Sequence, residues 1–304
     1  MKIKNIAVIG MGAIGCVYGK LLYDAYGDEF FVIASGARRE NLVRDGICLN
    51  GTVFTPKVID TAEKAWKASL IVVCVKNYQL DAAIEDMRNF VDEHTMILPL
   101  LNGVTATERL QEAFPQAHVF YGISIAIDAV RTKAGVSNTN NGFIQFGDKD
   151  NCVMSQEVMA VNACLLDAKI NAQVFPDMMR ILWRKWMMNV GCNQVSSITG
   201  ATYGKFVTVP EVWQTMRAAM LEVVEVAQKL KIDISESDIE EMKKVVQTLG
   251  TEGKTSMLQD VENKRKTEVD YFAGTVIEYG KKLGVSVPVN TVLYQLVKGI
   301  EGSY

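Results

Sequence analysis

The pattern of apolar and polar residues divides the chain into two parts. In the first part, short apolar runs bounded by turn residues predict strands at residues 4–9, 30–34, 68–75, 96–101, 119–126, 142–146 and 172–175. Helical patterns are found at residues 16–26 and 156–168. The run at residues 68–75 is apolar almost throughout, which is typical of a strand in a parallel sheet that helices cover on both faces.

The pattern changes at Pro176. From Met178 onward it is helical, with breaks near residues 200–204, 209–210, 232–233 and 250–253, and no run there indicates a strand. The sequence therefore predicts an α/β N-terminal domain over residues 1–175, followed by an all-α C-terminal domain over residues 176–304.

A glycine-rich stretch separates the first predicted strand from the first predicted helix. Gly10 would allow a tight turn, Gly12 would let the backbone approach a pyrophosphate, and Gly15 would let the helix pack closely on the strand. The flanking strand and helix make this G-x-G-x-x-G more specific than the motif alone, although a purely structural turn is the alternative. We interpret it as the dinucleotide-binding loop of a Rossmann-type domain, formed by Gly10, Met11, Gly12, Ala13, Ile14 and Gly15.

The second predicted strand is followed by residues that bear on the choice of cofactor. An NAD site usually places Asp or Glu here for the ribose 2′-hydroxyl, but this chain has Ser35, Arg38 and Arg39. A hydroxyl and two guanidinium groups suit a 2′-phosphate. We therefore expect NADPH/NADP+ rather than NAD, the alternative being that the arginines belong to a solvated loop.

Two further predicted strands end in polar residues. Lys76 follows the run at residues 68–75, and Asn102 follows the run at 96–101. Ligands of open α/β sheets bind outside the carboxyl ends of the strands, so both residues are candidate cofactor contacts. Asn102 could donate an amide hydrogen bond to the nicotinamide or its ribose. The alternatives are a surface lysine and a turn-forming Asn-Gly pair.

Three polar residues recur at every fourth position within the apolar stretch at residues 181–193. On a helix, Lys185, Asn189 and Asn193 would lie within an arc of roughly 80°. A helix that is apolar on its other faces is normally buried, and a buried ammonium or amide without a partner costs on the order of a few kcal/mol. This polar row is therefore expected to face a cavity or a ligand. The alternative is a satisfied network in the core with a snorkelling lysine.

The polar row also contains the best candidate for a general acid. The positions of His94 and His118 indicate a structural or solvent-exposed role. An ammonium group at Lys185 can stabilise the negative charge that forms when hydride reaches a carbonyl, and can then protonate the oxygen. Burial would lower its pKa from the usual value towards the working pH. Asn189 and Asn193 would bind substrate oxygens.

A second group of candidates follows at residues 256–270. Ser256 opens a predicted helix, where an anion such as a substrate carboxylate is favoured. Glu268 lies beyond it in the sequence. The alternatives are that Ser256 is a simple N-cap and that Glu268 belongs to a solvated helix face with Lys264, Arg265 and Lys266.

Charge and cysteine usage narrow the class of partner. The net charge of −3 and the absence of a long Lys/Arg block argue against nucleic acid or an anionic membrane and favour a small molecule. The six cysteines show no C-x-x-C pair, as expected of free thiols in a reducing compartment, and no metal site is predicted. Without a signal peptide or an apolar run of about 18 residues, we expect a cytoplasmic protein.

Several stretches together resemble the ketopantoate reductase (2-dehydropantoate 2-reductase) family over nearly the whole chain. Their order and separation are more specific than any one of them. They are GMGAIG at residues 10–15, VKNYQ at 75–79, LNG at 101–103, WRKWMMNVGCN at 183–193, SMLQD at 256–260, KTEVDYFAG at 266–274 and GVSVPVNT at 284–291.

The resemblance implies NADPH-dependent reduction of 2-dehydropantoate to (R)-pantoate, a step of pantothenate and coenzyme A biosynthesis, by a monomer or homodimer. It implies that Lys185 is the proton donor, that Asn189 and Asn193 contact substrate hydroxyl groups, and that Ser256 contacts the carboxylate. The residues implied to line the cofactor and the catalytic centre are Lys76, Asn102, Ala126 and Glu268.

Two features depart from the family pattern and bear on the 2-oxo acid that is reduced. Tyr203 stands where some members have a further substrate-contacting Asn, and residues 137–141 are rich in Asn. The alternatives are a reductase of another 2-oxo acid, a β-hydroxyacid dehydrogenase, which shares the K-x-x-x-N pair, and a non-enzymatic NADP-binding protein. Asn193 and the segments around Ser256 and Glu268 favour the reductase.

Overall fold

The computed structural model describes residues 3–64 and 66–304. The chain forms two compact units, the first ending at Met178 and the second comprising Met179–Tyr304. Within the described residues, no helix has both the length and the apolar character that crossing a bilayer requires.

The first unit is an α/β domain. Its strands are β1 (Ile6–Ile9), β2 (Phe30–Ile33), β3 (Ile47–Leu49), β4 (Thr52–Phe54), β5 (Lys57–Ile59), β6 (Leu70–Val73), β7 (Met96–Pro99), β8 (His118–Val119), β9 (Tyr121–Ile125), β10 (Val130–Thr132), β11 (Gly135–Ser137), β12 (Phe143–Gly147) and β13 (Ala172–Gln173). Its α-helices are α1 (Ala13–Tyr26), α2 (Gly36–Asp45), α3 (Leu80–Met87), α4 (Ala106–Ala113) and α5 (Gln156–Asp167). Short 3₁₀ helices are Gly27–Glu29, Asn77–Gln79 and Arg88–Phe90.

A six-stranded parallel sheet with the order β5-β2-β1-β6-β7-β8 forms the centre of this unit. Successive residues of β1 enter two different apolar cores: Ile6 packs in the core that includes Val17 of α1, and Ala7 packs in the core that includes Leu80 of α3. Both faces of the sheet are therefore covered, which explains why β1 and β6 are buried throughout. This confirms the predicted Rossmann-type α/β fold.

Two smaller sheets complete the unit, with the orders β10-β11-β3-β4 and β13-β12-β9. The single strand predicted at residues 119–126 is wrong in detail, because β8 joins the large sheet and β9 pairs with β12. The sequence reading also missed the helices α2, α3 and α4, the strands β3, β4 and β5, and the β10–β11 hairpin. These strands have only three residues each, too few for a period-2 pattern to be recognised.

The second unit is all helical, as predicted. Its α-helices are α6 (Met178–Thr199, which begins at the last residue of the first unit), α7 (Tyr203–Thr208), α8 (Pro210–Lys229), α9 (Glu236–Gln247), α10 (Ser256–Glu262), α11 (Ala273–Leu283) and α12 (Pro288–Glu301), with a 3₁₀ helix at Val269–Tyr271. Pro210 and Pro288 stand in the first turns of α8 and α12, where the missing N–H leaves no hydrogen bond unmade.

The helix α6 is held on several sides by the rest of the second unit. Trp183 and Trp186 are fully buried and meet edge to face, and the Trp186 indole donates to the Tyr271 carbonyl at 3.1 Å. A Cβ on Gly191 would lie 2.8 Å from the Cγ of Met220, so glycine permits the close approach of α8. The predicted burial of this helix is confirmed.

A buried polar network ties α12 to α6 and α8. The Glu222 carboxylate accepts the backbone N–H groups of Val289 and Asn290 at 2.7 and 2.9 Å, and the Asn290 amide donates to Glu222 and accepts from Gln194. These contacts satisfy the first N–H groups of α12. The segment GVSVPVNT therefore has a structural explanation within the second unit.

Candidate active site

The glycine loop between β1 and α1 leaves no room for a side chain at two of its three glycines. Gly10 has φ +95°, and a Cβ there would lie 2.7 Å from the backbone N of Val75. A Cβ on Gly15 would lie 2.1 Å from the Gly10 carbonyl oxygen. At Gly12 the nearest protein atom would be 3.9 Å away, so no protein group requires glycine at this position.

An arginine that the sequence reading missed lies against this loop. Arg131, on β10, donates a hydrogen bond from Nη1 to the Met11 carbonyl, and the Cys16 thiol lies 3.5 Å from the same oxygen. No pattern in the sequence links Arg131 to a loop at residue 11. The contact arises from the β10–β11 hairpin, whose pairing with β3 is a tertiary feature.

The predicted 2′-phosphate residues lie at the start of a helix rather than in a loop. Ser35 is the N-cap of α2 and makes no side-chain capping bond, and Arg38 and Arg39 lie in the first turn. Arg39 lies 3.5 Å from the Asp60 carboxylate, whereas Arg38 is exposed and has no carboxylate within 4.0 Å in the described part of the chain.

The loops after β6 and β7 are joined by a hydrogen bond. The Asn77 side chain donates to the Asn102 carbonyl at 2.7 Å, and Lys76 is the half-buried N-cap of the 3₁₀ helix at Asn77–Gln79. Gly103, with φ +95°, completes the turn after Asn102. Lys76 and Asn102 are thus held at neighbouring strand ends of the parallel sheet, as the sequence predicted.

Ala126 directly follows β9 and adopts φ +55°, a left-handed conformation that is uncommon for a residue with a side chain. Gly142 allows this conformation, because a Cβ there would lie 2.2 Å from the Ile125 carbonyl oxygen. Ala126 itself is exposed. Strained backbone of this kind is concentrated at functional sites.

The polar row on α6 is assembled as the periodicity predicts. Lys185 is half-buried, and Asn189 and Asn193 are 8% and 5% exposed. The Asn193 amide donates to the Asn189 Oδ1 at 3.2 Å, and its own Oδ1 accepts from the Ser256 hydroxyl at 3.3 Å. The part of the chain that the structure describes offers no acceptor to Asn189 Nδ2. The row is therefore linked to α10 but keeps an amide donor.

Ser256 is not the N-cap of its helix. The preceding Thr255 is buried and caps α10, its hydroxyl oxygen accepting from the Leu258 N–H at 3.2 Å and contacting the Ser196 hydroxyl. Ser256 is exposed and its hydroxyl points to Asn193. The capping explanation that we considered for Ser256 is therefore wrong, since Thr255 has that role.

The surroundings of Lys185 change its proton affinity. Desolvation by the neighbouring side chains lowers its pKa to about 8, and the negative charge of Glu268 opposes this change. Glu268 is 1% exposed, so the alternative of a solvated helix face is wrong. An amine with this pKa exists in both protonation states near neutral pH and can both give and regain a proton.

The two departures from the family pattern have different structural contexts. The Asn-rich residues 137–141 run from the end of β11 into the loop before β12: Asp128 accepts the N–H groups of Thr139 and Asn140, and Asn138 pairs with Asn50. Tyr203 begins α7, and its N–H donates to the Gly253 carbonyl at 2.9 Å. A Cβ on Gly253 would lie 2.6 Å from the Tyr203 ring, which therefore packs on the segment that leads to Thr255 and Ser256.

The remaining polar candidates are accounted for by local contacts. His118 pairs with Asp148 at 2.7 Å, and His94 is exposed. All six cysteines are free thiols. Within residues 3–64 and 66–304, no group of three or more His, Cys, Asp or Glu is arranged to hold a metal ion.

The sequence matches the models of a known protein family over most of its length. The family model described as "Ketopantoate reductase PanE/ApbA" matches residues 6–151, and the model of its C-terminal part matches residues 177–301. The chain belongs to the ketopantoate reductase family. As a member it is an oxidoreductase that acts on CH–OH groups with a pyridine nucleotide, and the β-hydroxyacid dehydrogenase and non-enzymatic alternatives are not supported.

Individual ketopantoate reductases are similar over almost their whole length. The chain is 26% identical to the 2-dehydropantoate 2-reductase of Archaeoglobus fulgidus, covering 99% of each chain, and 29% identical to that of Halobacterium salinarum, covering 97% and 98%. A ketopantoate reductase structure from Ralstonia eutropha superposes with a TM-score of 0.83 at 24% identity, covering 100% and 99% of the two chains.

A further structure superposes with a TM-score of 0.88 at 23% identity, again covering 100% and 99% of the chains. It is a D-mandelate dehydrogenase in complex with NADH and anilino(oxo)acetate. At this identity the likeness concerns the fold alone.

Proposed function

We propose that this protein reduces 2-dehydropantoate to pantoate with NADPH, and that Lys185 is the proton donor. The observation that carries the proposal is the row on α6, in which an amine with a pKa of about 8 shares a helix face with two largely buried amides, and the second of these, Asn193, accepts a hydrogen bond from the Ser256 hydroxyl. This arrangement suits a small anion that carries a carbonyl and hydroxyl groups.

The first unit supports the cofactor in this proposal. The backbone around Gly12 leaves room that no protein atom fills, while Gly10 and Gly15 are packed against the protein. Arg38 stands after β2 and has no carboxylate partner among residues 3–64 and 66–304, and no Asp or Glu occupies the position where NAD sites usually have one. These features fit a dinucleotide with a 2′-phosphate, held by the glycine loop, Ser35 and Arg38.

The second unit supplies the residues for substrate. When bound, the reduced nicotinamide would supply a hydride to the carbonyl carbon of the 2-oxo acid. The carbonyl oxygen then becomes negative, and the Lys185 ammonium stabilises this charge and transfers a proton to the oxygen, which leaves a neutral amine. Solvent returns the proton to Lys185. Asn189 and Asn193 would bind the hydroxyl groups, and Ser256 the carboxylate.

Cofactor choice can be tested separately from substrate choice. Replacing Arg38 and Arg39 by Ala should weaken NADPH binding by about tenfold or more, because a charge-assisted hydrogen bond to the 2′-phosphate contributes roughly 1.5–3 kcal/mol. NADH binding should change little. Titration of both nucleotides by fluorescence measures this, with Arg44→Ala on the same helix as the control, since Arg44 pairs with Asp45. Equal weakening of both nucleotides would contradict the NADPH assignment.

Substrate choice is tested by following NADPH oxidation with 2-dehydropantoate and a panel of 2-oxo acids that differ in side chain. The highest kcat/KM with 2-dehydropantoate supports the proposal. Turnover of the panel without turnover of 2-dehydropantoate would contradict it.

A second candidate is a reductase of 2-oxo acids with an apolar or aromatic side chain. Tyr203 favours this candidate. It stands where some family members have a polar Asn, and its ring packs on Gly253, which is close in sequence to Ser256. An aromatic ring near the substrate would favour an apolar side chain over a hydroxyl group. The D-mandelate dehydrogenase, whose fold is similar, was solved with an aromatic 2-oxo acid derivative. A preference for phenylglyoxylate in the same panel, lost in Tyr203→Asn, would support this candidate.

A further inference from the structure

We propose that Arg131 binds the pyrophosphate of the dinucleotide from the β10–β11 hairpin. The inference rests on the proposed function for its ligand, but the observations that carry it concern Arg131 itself. They are the lack of an acidic partner among the residues that the structure describes, its attachment to the glycine loop, and its position on a separate element from Arg38.

Among the ten arginines of the chain, Arg38 and Arg131 stand apart. The other eight each lie within 4.0 Å of a carboxylate, counted over the described residues. Arg38 and Arg131 have no such neighbour there. A guanidinium group has five N–H donors and cannot be deprotonated, so one without a carboxylate partner is available for an anionic ligand.

The attachment of Arg131 places its charge at the glycine loop. Its Nη1 donates to the Met11 carbonyl, which lies between Gly10 and Gly12. Its positive charge also acts on the Cys16 thiol in the first turns of α1, where it opposes the rise in the pKa of that group. Arg131 is exposed as a residue, and no other protein acceptor is found for its guanidinium group in the part of the chain that the structure describes.

The two arginines are assigned to different phosphates by the elements that carry them. Arg38 follows β2, the position that contacts the 2′ group of the ribose in dinucleotide-binding folds. Arg131 is bonded to the loop that precedes α1, and the pyrophosphate in such folds lies over this helix N-terminus. A bidentate guanidinium contact would add charge to a loop that otherwise offers only backbone N–H groups.

The test is the affinity of three variants, Arg131→Gln, Arg131→Ala and Lys133→Gln, for four nucleotides. Arg131→Gln removes the charge but keeps an amide that can donate to the Met11 carbonyl, and Lys133→Gln makes the same charge change at an exposed residue in the turn of the same hairpin. NADPH, NADH and ADP-ribose contain the pyrophosphate, whereas adenosine 2′-monophosphate does not.

In Arg131→Gln we expect the affinity for NADPH, NADH and ADP-ribose to fall by the same factor, about tenfold, with adenosine 2′-monophosphate unaffected. The difference from the unaltered protein should shrink at high salt, since an exposed charge is screened. Lys133→Gln should bind all four like the unaltered protein. The melting temperature without ligand, measured in parallel, reports any loss of folding.

Two results would overturn the inference: unchanged affinity in both Arg131→Gln and Arg131→Ala, or a loss confined to NADPH and adenosine 2′-monophosphate, which would make Arg131 a 2′-phosphate residue. Failure of the proposed function has a different signature. In that case the protein binds NADPH and Arg131→Gln weakens it, but no 2-oxo acid is reduced.

Discussion

The glycine loop of the first unit and the polar row of the second differ in what they need from a side chain. In the loop, Gly10 and Gly15 are required because any side chain would collide with neighbouring backbone. In the row, the proposed roles of Lys185, Asn189 and Asn193 depend on their side chains, and the helix that carries them is packed by other residues, such as Trp183 and Trp186.

This difference predicts how each region responds to substitution. A change in the loop alters the backbone and with it the fold of the first unit, because the space there is already occupied. A change in the row removes one functional group from a helix whose apolar faces remain packed. Stability and activity should therefore be separable in the second unit and coupled in most of the loop.

The largest effect is expected from Lys185→Ala. Loss of a general acid and of the charge facing the developing oxyanion should lower kcat by at least about a hundredfold. Folding and NADPH binding should be retained, as circular dichroism and nucleotide titration can measure, and Lys205→Ala, an exposed lysine of the same unit, is the control. Turnover within about threefold of the unaltered protein would assign the acid role to another group.

The comparison is sharpened by two alanine substitutions in the glycine loop. Gly15→Ala should lower the free energy of unfolding by about 1–3 kcal/mol, because the added Cβ would meet the Gly10 carbonyl at 2.1 Å. Gly12→Ala, where the nearest atom is 3.9 Å away, should leave the stability almost unchanged and weaken nucleotide binding. Urea unfolding and nucleotide titration separate the two. If Gly12→Ala and Gly15→Ala lowered the free energy of unfolding equally, Gly12 would be a packing position like Gly15, which would contradict the comparison.

The pH dependence tests the row without altering it. In the proposed mechanism the ammonium form of Lys185 is the donor, and its pKa is about 8, so the rate of reduction should be constant below that pH and fall about tenfold per pH unit above it. Glu268 raises this pKa, so Glu268→Gln should move the fall to lower pH. A profile of kcat against pH measures both. An unshifted profile in Glu268→Gln would argue against coupling of the two groups.

The smallest effect is expected from Ser256→Ala. Its contact with the carboxylate would exist in both ground and transition states, so KM should rise several-fold while kcat changes little. The neighbouring Thr255→Ala should instead lower stability by about 1 kcal/mol, since Thr255 caps α10. Steady-state kinetics and thermal unfolding of the two variants check this contrast. An unchanged KM in Ser256→Ala would remove Ser256 from the site.

Sequence periodicity was sufficient wherever an element is long or completely buried. The apolar run containing β6 and the fourfold spacing of Lys185, Asn189 and Asn193 predicted a buried strand and a one-sided polar row, and both are present. Gly10 and Gly15 were also predicted with their structural reasons, because a positive φ at Gly10 and tight packing at Gly15 are properties that only glycine provides.

The sequence by itself determined the α/β and all-helical division, the glycine loop and the polar row, because these depend on repeated local patterns. Tertiary structure alone decided three other features. Thr255 rather than Ser256 caps α10, Glu268 is buried close enough to influence Lys185, and Arg131 reaches Met11 across 120 positions. Each depends on which segments pack together. A contact between segments that are distant in the sequence produces no periodic pattern of residues in either segment, so it cannot be predicted from such patterns.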